Sequence, residues 1–440
     1  MKVLKFGGTS VGSPDRMHHV ARLVRASGRN VVVLSAMAGT TNTLVEIAGY
    51  LFKRNIPGAQ ETLNTLRDRY AEVVGGLYTR EESRVRARQM LERTFNLIAR
   101  FFDGEFTEAE EKEVLACGEL ISVALMQYYF EEQGVRSVIL PALDYMRTAQ
   151  GGEPDMKYIS AHLRRMIDLE PDADLWLTQG YICRNAYGET DNLRRGGSDY
   201  SASIIGAVLD ADEIQIWTDI DGMHTGDPRF VSGTRPVKRL HFEEAAELAY
   251  FGAKILHPTC VLPAKLHNIP VRLLNTLDPA AEGTAIANFP PDGTIKAVAA
   301  KDDITVIKIK SGRMLLAYGF LHKVFETFDT FNTAIDMMAT SEVGVSVTVD
   351  DTGHLADIVD RLKDFGTVTV DSGMAIICVV GDFTGNRGSA YCSAVLDALA
   401  DIPVRMISYG GSNYNISVVV RSCDKVDALN KLNNHLFSEK

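Results

Sequence analysis

Sulfur ligands, basic runs and long apolar stretches are all missing from this chain in the arrangements that would settle its class. Its 440 residues include six cysteines, Cys117, Cys183, Cys260, Cys378, Cys392 and Cys423, none of them at C-x-x-C or zinc-ligand spacing. The chain therefore has no sign of a redox motif or a zinc site, and scattered thiols in a chain this size read as reduced core cysteines of a cytosolic protein. Basic tracts are absent too: 46 Lys and Arg against 57 Asp and Glu leave a net charge of -11, so the clustered cations that grip a phosphate backbone are not there and no nucleic-acid partner is expected. That balance does not exclude an anionic small molecule, because a local site can be basic in an acidic protein. No apolar run reaches the ~18 residues of a membrane-crossing helix. The start, Met1-Lys2-Val3-Leu4-Lys5-Phe6-Gly7-Gly8, lacks a signal-peptide core, so no membrane and a cytoplasmic location are expected.

What remains is an ordinary globular composition, 46% hydrophobic and 23% charged, in a chain too long for one core and suited to two or three domains. The first half alternates short apolar strands with helical stretches. Val3–Phe6 runs into glycines, Ser13–Ser27 has helical periodicity, and Val31–Leu34 is a β-branched strand ending in Ser35-Ala36-Met37-Ala38-Gly39. Further strands are expected at Ser137–Leu140, Leu175–Gln179, Glu213–Trp217 and Val271–Asn275. Strand, small-residue loop and helix in repetition predict an α/β domain, a sheet covered on both faces. Residues 58–118 are charged, glycine-poor and helical in period; they are either a helical insertion beside an active site or a plain packing bundle.

A turn-rich stretch, Asn288-Phe289-Pro290-Pro291-Asp292-Gly293, marks a boundary. Beyond it the pattern is β-α-β-β-α-β: Ile304–Lys310, Phe320–Phe331, Ile335–Ala339, Val343–Val349, Leu355–Phe365 and Thr367–Val370. The order then restarts with Met374–Val380, Ser389–Leu399, Val404–Ile407, Tyr414–Val420 and Lys425–Phe437. Val345-Ser346-Val347-Thr348-Val349 matches Ile416-Ser417-Val418-Val419-Val420, a weak internal repeat that the element order strengthens. The second copy lacks its last strand, and Ile295–Ala300 is expected to cross over and fill that place.

Five segments have residues suited to binding or catalysis. Lys5-Phe6-Gly7-Gly8-Thr9-Ser10 stands between a strand and a helix, where glycines admit close approach of an anion and turned amides attract it; alone, such a turn is more often only a turn. Arg194-Arg195-Gly196-Gly197-Ser198-Asp199-Tyr200 is a second glycine turn entering a helix, which Ser198 or Asp199 could equally be capping. Two such loops, each beside a cation, suit a polyphosphate. Trp217-Thr218-Asp219-Ile220-Asp221-Gly222 ends a strand, with an Asx turn as the competing reading. Gly252-Ala253-Lys254-Ile255-Leu256-His257-Pro258 offers a second lysine, which at a helix C-terminus is commonly dipole compensation. Gly118-Glu119 puts a carboxylate in an apolar helix, at a cost unless it is solvated or paired; it reads as a solvated face or as the receptor of an ammonium group.

In these residues, and in their order along the chain, the sequence resembles the aspartate kinases of the amino acid kinase family, specifically the monofunctional lysine-sensitive type. Ser35-Ala36-Met37-Ala38-Gly39-Thr40-Thr41-Asn42, Gly319-Phe320-Leu321 and Thr340-Ser341-Glu342 extend the match into both halves. The resemblance implies a three-layer αβα kinase domain at residues 1–285 with its insertion at about 58–118. Two ferredoxin-like ACT domains would follow, at 302–371 and at 372–440 completed by 295–300. It implies transfer of the ATP γ-phosphate to the side chain of L-aspartate with Mg²⁺, the first step toward lysine, threonine and methionine. Lys5, Asp199 and Lys254 would be catalytic. Thr41, Glu119, Tyr181, Arg195 and Ser198 would bind aspartate. Lys5, Gly7, Gly8, Thr9, Ser10, Thr218, Asp219, His224, Arg229 and Lys254 would contact the nucleotide. Met314, Phe320, Leu321, Asp336, Thr340, Ser341 and Glu342 would receive L-lysine as an allosteric inhibitor, in a homodimer or homotetramer joined through the ACT domains.

The sequence departs from the family pattern at Arg194, where glycine is usual, at His224, where tyrosine is usual, and at Leu316 and Ala317, which replace polar residues of the lysine site. Alternatives are another amino acid kinase, acting on glutamate, N-acetylglutamate or a nucleotide (an acetylated substrate would not need Glu119), a non-catalytic amino-acid sensor, and a C-terminal half that serves only for dimerisation.

Overall fold

The computed structural model describes every residue except 195, 252–257, 311–318, 386–387 and 438–440. Packing divides it into two compact units: Met1–Gly222 with Leu256–Phe289, and Met223–Ile255 with Pro290–Lys440. The first unit runs β1 (Lys2–Phe6), α1 (Pro14–Ala26), β2 (Asn30–Leu34), α2 (Thr40–Phe52), α3 (Ile56–Leu77), α4 (Glu81–Ala99) and α5 (Glu108–Glu132). It continues with β3 (Ser137–Leu140), α6 (Ala142–Tyr145), α7 (Met156–Asp168), β4 (Leu175–Gln179), β5 (Ile182–Arg184), β6 (Thr190–Asn192), α8 (Gly197–Leu209) and β7 (Ile214–Thr218). After β8 (Arg239–His241) and α9 (Phe242–Tyr250), which belong to the second unit, it resumes with α10 (Pro258–Leu266), β9 (Val271–Asn275) and β10 (Thr284–Ala287).

Strands β3-β4-β2-β1-β7-β9-β10 lie in that order. All neighbours are parallel except the β9–β10 pair. Every residue of β2 and of β4 is buried, as the apolar runs Val31–Leu34 and Leu175–Leu177 within them suit strands covered on both faces. Helix α8 packs on β1, β2 and β7, and α5 on β2, β3 and β4. The chain moves from β1 to β2 on one side and reaches β7 on the other, so the carboxyl ends of β1, β2 and β7 flank a topological switch point, where open α/β sheets bind ligands.

The charged segment is helical, in α3, α4 and the start of α5. Leu66, Tyr70, Val73, Val74 and Leu77 are the buried stripe of α3, and Ala87, Leu91, Phe95 and Ile98 that of α4, at the spacing of an amphipathic helix. A capping box between Thr107 and Glu110 starts α5, satisfying two of its free amides.

The second unit is built on an antiparallel sheet in the order β12-β13-β11-β14-β16-β15. Its strands are β11 (Ile295–Lys310), β12 (Met338–Ser341), β13 (Gly344–Val349), β14 (Thr367–Gly381), β15 (Met406–Tyr409) and β16 (Asn415–Arg421). Its helices are α11 (Phe320–Thr330), α12 (Leu355–Lys363), α13 (Gly388–Ala398) and α14 (Lys425–Phe437). The two segments read from sequence as separate strands, Ile295–Ala300 and Ile304–Lys310, form one strand. Asp303 takes φ 59° and the register shifts between Lys301 and Ile304, so a bulge absorbs the polar residues without ending the ladder. Likewise Thr367–Val370 and Met374–Val380 join in β14. Ala297–Lys301 pairs with Ile376–Val380, and Ile307–Lys310 with Thr367–Val370. Each copy nevertheless has its own core: Ile307, Val324, Val345 and Ile358 in one, Val298, Ile377, Val395, Val418 and Leu432 in the other. Within this unit α9 touches both copies, through Asn415 bonded to Glu247 at 2.5 Å and Tyr250 bonded to Asp336 at 3.2 Å. No helix among the described residues is long and apolar enough to cross a membrane.

Candidate active site

Three loops meet at the carboxyl ends of β1, β2 and β7. Gly7 N–H donates to Trp217 O at 3.1 Å, Ser35 N–H to Phe6 O at 3.2 Å and Ala38 N–H to Gly8 O at 3.0 Å. A Cβ on Gly8 would stand 2.6 Å from Ala36 O, so this crossing of two backbones admits only glycine. Phe6 stacks on Trp217 at 5.8 Å beneath them. Thr9 O accepts from Arg16 at 2.6 Å, while the buried Ser10 hydroxyl is shared with Thr276 at 2.7 Å. On the same side Thr218 O accepts from Thr276 N–H at 2.7 Å, and the Thr218 hydroxyl donates to Asp219 at 3.1 Å.

Lys5 projects from β1 with its Nζ 2.6 Å from Asp199 Oδ1, in the first turn of α8. Both side chains are largely buried, 11% and 13% exposed. The helix start is set by Gly196 at φ 72° and by close packing on the β4–β5 connection. A Cβ on Gly180 would lie 2.6 Å from Ser198 Oγ, and one on Gly197 2.8 Å from the Tyr181 ring. Tyr181 has φ 67° and its N–H donates to Ser201 Oγ at 3.0 Å. Arg194 also holds a left-handed conformation, φ 60°, the region that glycine adopts without strain.

Glu119 is 3% exposed. Its Oε1 accepts from Ala36 N–H at 3.2 Å, and its Oε2 is buried with no hydrogen-bond partner among the described residues. Burial pushes this carboxyl up to about 7, against the opposing pull of the Ala36 amide. The solvated-face reading is thereby excluded. An unpaired buried carboxylate oxygen is costly, and a cationic ligand is what would satisfy it. Gly118 lets α5 approach this closely, since a Cβ there would meet Ala36 Cβ at 2.8 Å. Burial likewise raises the nearby Tyr181 hydroxyl to about 12, and the Glu119 charge adds to the rise. Thr41, half-buried, stands in the first turn of α2.

The structure thus gathers Lys5, Gly7, Gly8, Ser198, Asp199 and Tyr181 with the loop that carries Glu119's partner. His224 and Arg229 belong to the second unit, where the Arg229 guanidinium is engaged by Asp227 at 2.6 Å. Arg195, Lys254 and Met314, like Leu316 and Ala317, lie outside the described residues. No group of three or more His, Cys, Asp or Glu suited to a metal occurs among the described residues. Asp199 stands at the glycine loops beside Lys5, and a cation there would be held chiefly by its phosphate ligands, as magnesium commonly is.

Of the residues assigned to effector binding, Phe320 is buried at the start of α11 and Leu321 is exposed beside it. Asp336 has a side chain only 1% exposed, paired with Lys301 at 2.5 Å, and its Oδ2 is without a partner among the described residues. Thr340 and Ser341 lie on the edge strand β12, with Glu342 exposed in the turn that follows.

The amino acid kinase family matches residues 1–275, and an ACT domain residues 377–436. The lysine-sensitive aspartokinase 3 of Escherichia coli is 32% identical, over 99% of each chain. The chain belongs to the aspartokinase family. The crystal structure of E. coli aspartokinase III in complex with aspartate and ADP, in the R-state, superposes with a TM-score of 0.86 at 32% identity, over 100% of both chains. The T-state complex of the same enzyme with lysine and aspartate gives 0.79 over the same coverage.

Two contacts of this aspartokinase-family site are not visible in its motifs. From α3, Arg69 donates to Ala38 O and the Tyr70 hydroxyl meets Thr40 Oγ1 at 2.8 Å. These contacts bring α3, part of the charged segment, against the loop at Ala38–Thr40. Periodicity marks Tyr70 as inward-facing but cannot name the loop it reaches.

Proposed function

We propose that this chain phosphorylates the side-chain carboxylate of L-aspartate with ATP, giving 4-phospho-L-aspartate and ADP. The attacking carboxylate, with a reference pKa of about 3.9, is ionised at neutral pH, so no general base is needed. A carboxylate oxygen forms a bond to the γ-phosphorus, and the bond from that phosphorus to the β-γ bridging oxygen breaks. The demand is to bring two anions together and support spread charge. Lys5, fixed by Asp199, supplies a cation at the glycine loops, with the amides following Gly7 and Gly8 toward the phosphates. Magnesium on the nucleotide supplies charge neutralisation, with Asp199 as the protein group suited to its shell.

The observation that carries the substrate assignment is the buried Oε2 of Glu119, without a hydrogen-bond partner among the described residues. It suits the free ammonium of an unacetylated amino acid. Thr41, Ser198 and Tyr181 would complete that pocket, with Arg195 on a carboxylate, a planar two-pronged grip that lysine cannot copy. The family resemblance assigns Lys254, Thr218, Asp219, His224 and Arg229 to the reacting phosphate and the nucleotide.

The remaining assignments follow the same reading: a catalytic domain at residues 1–285, ACT domains at 302–371 and at 372–440 with 295–300, a homodimer or homotetramer, and a cytoplasmic place in amino-acid biosynthesis. L-Lysine is the proposed inhibitor, its ammonium drawn to Asp336. Initial velocity with aspartate and ATP, the acyl phosphate trapped as hydroxamate, tests both halves. Turnover that lysine depresses is expected. Tight lysine binding without turnover would leave a sensor, and turnover indifferent to lysine would refute the regulatory half.

A further inference from the structure

The loop Ser35–Gly39, entered through Ser35 N–H on Phe6 O at 3.2 Å, has three anchors beyond that residue. Two belong to the sheet and its covering helix: Ala38 N–H on Gly8 O, at 3.0 Å, and Ala36 N–H on Glu119 Oε1, at 3.2 Å. The third comes from α3. Arg69 Nη2 donates to Ala38 O, and the guanidinium lies against Gly39, where a Cβ would stand 3.1 Å from Nη1. Gly39 has φ 83° and is the N-cap of α2 with no side-chain cap of its own. The next residue of α3, Tyr70, holds Thr40, the first residue of α2, by its buried hydroxyl. A cation at a helix N-terminus opposes the helix dipole, so helix stability does not account for Arg69 being there. What it supplies is geometry: a planar group filling the space beside a glycine that cannot fill it.

We propose that Arg69 is a positioning residue for substrate binding, holding the loop that orients Glu119 and Thr41 from outside the αβα core. This rests on the aspartate-phosphorylating reading above. A carbonyl released at Ala38 frees the loop to shift, and displacement of substrate-positioning groups by even 1 Å costs up to about 100-fold. The effect belongs to aspartate, since Glu119 and Thr41 bind that substrate, while the nucleotide side keeps Lys5, Asp199 and the Gly7–Gly8 turn.

The test compares Arg69→Met, which keeps the length and removes the fork, with Arg69→Lys, whose ammonium still reaches a carbonyl. In Arg69→Met the KM for aspartate is expected to rise about tenfold, with the KM for ATP within about twofold. Arg69→Lys is expected to recover part of the loss. Hydrogen exchange of the backbone over residues 35–42 is expected to quicken about tenfold in Arg69→Met, with β1, β2 and β4 unchanged. Equal rises in both KM values, no rise in either, or unchanged exchange over the loop would overturn the proposal. If the unsubstituted chain turned over no aspartate, the functional reading would fail by itself, and the exchange measurement would still decide whether Arg69 holds the loop.

Discussion

The ammonium of Lys5 and the carboxylate of Asp199 meet at 2.6 Å, tying the end of the first strand to the first turn of a helix nearly two hundred residues later. Neither group is free to wander. Each is mostly withdrawn from water, where a charge pair is screened less than at the surface.

Removing one member of that pair therefore does more than delete a charge. Lys5→Met is expected to lower kcat by about 100- to 1000-fold, the scale of losing one preorganised electrostatic group, and to leave Asp199 without its cation. Asp199→Asn is expected to cost less, and the double variant little more than Lys5→Met alone. Steady-state kinetics on the four proteins measures this coupling. Strictly additive losses would mean that the two residues act separately.

Glu119 gives the site a pH dependence of definite sign. Its folded-state pKa, about 7, stands above the usual carboxylate value of about 4.3. The stability linked to its proton is thus fully present below the usual value and is lost as pH rises through about 7. An ammonium ligand needs the ionised form, so aspartate affinity is expected to fall as pH drops below about 7, with proton release on binding in that range. Calorimetry in two buffers of different ionisation enthalpy reads that proton directly. Glu119→Gln is expected to abolish the dependence and weaken aspartate binding by about 10- to 100-fold, while leaving nucleotide binding in place.

Arg194 sits at φ 60°, a conformation that costs a side-chain-bearing residue about 1–2 kcal/mol. Glycine would relieve that strain but adds about 0.5–1 kcal/mol of backbone freedom to the unfolded chain. The difference favours Arg194→Gly by about 0.5–1 kcal/mol, visible as a modest rise in denaturation midpoint. A lower midpoint would show that the guanidinium contributes something the backbone argument omits.

In the second unit Lys301 bridges Asp336 at 2.5 Å and Asp350 at 2.9 Å, and stands over the Tyr250 ring. Lys301→Met leaves Asp336 buried without its cation and is expected to destabilise that unit by about 3 kcal/mol. Adding Asp336→Asn should restore much of the loss, because the orphaned charge is then gone. Chemical denaturation of the two variants separates this from a simple loss of packing, which the second substitution would not repair.

Much of the architecture was legible because its strands are short and mostly apolar. Ser137–Leu140, Leu175–Gln179 and Val271–Asn275 have the same bounds in sequence and structure. The division at Lys301–Asp303 was not, since polar residues read as a break and a bulge can carry them. At the site, Gly8 and Gly118 stood out as glycines, but their reason is contact with Ala36, a partner that no spacing names. Arg69 gave no signal at all: one of two arginines on α3, distinguished only by the carbonyl it reaches. The roles of individual residues came from family likeness, while the burial of Glu119 and the lack of a partner for its Oε2 among the described residues came only from the folded chain.

Strands β11 and β14 each serve both copies of the repeat. Neither copy can be cut out whole, because any excision that frees one takes a strand from its neighbour. A molecule that settles on either copy therefore sits on strands that run unbroken into the other.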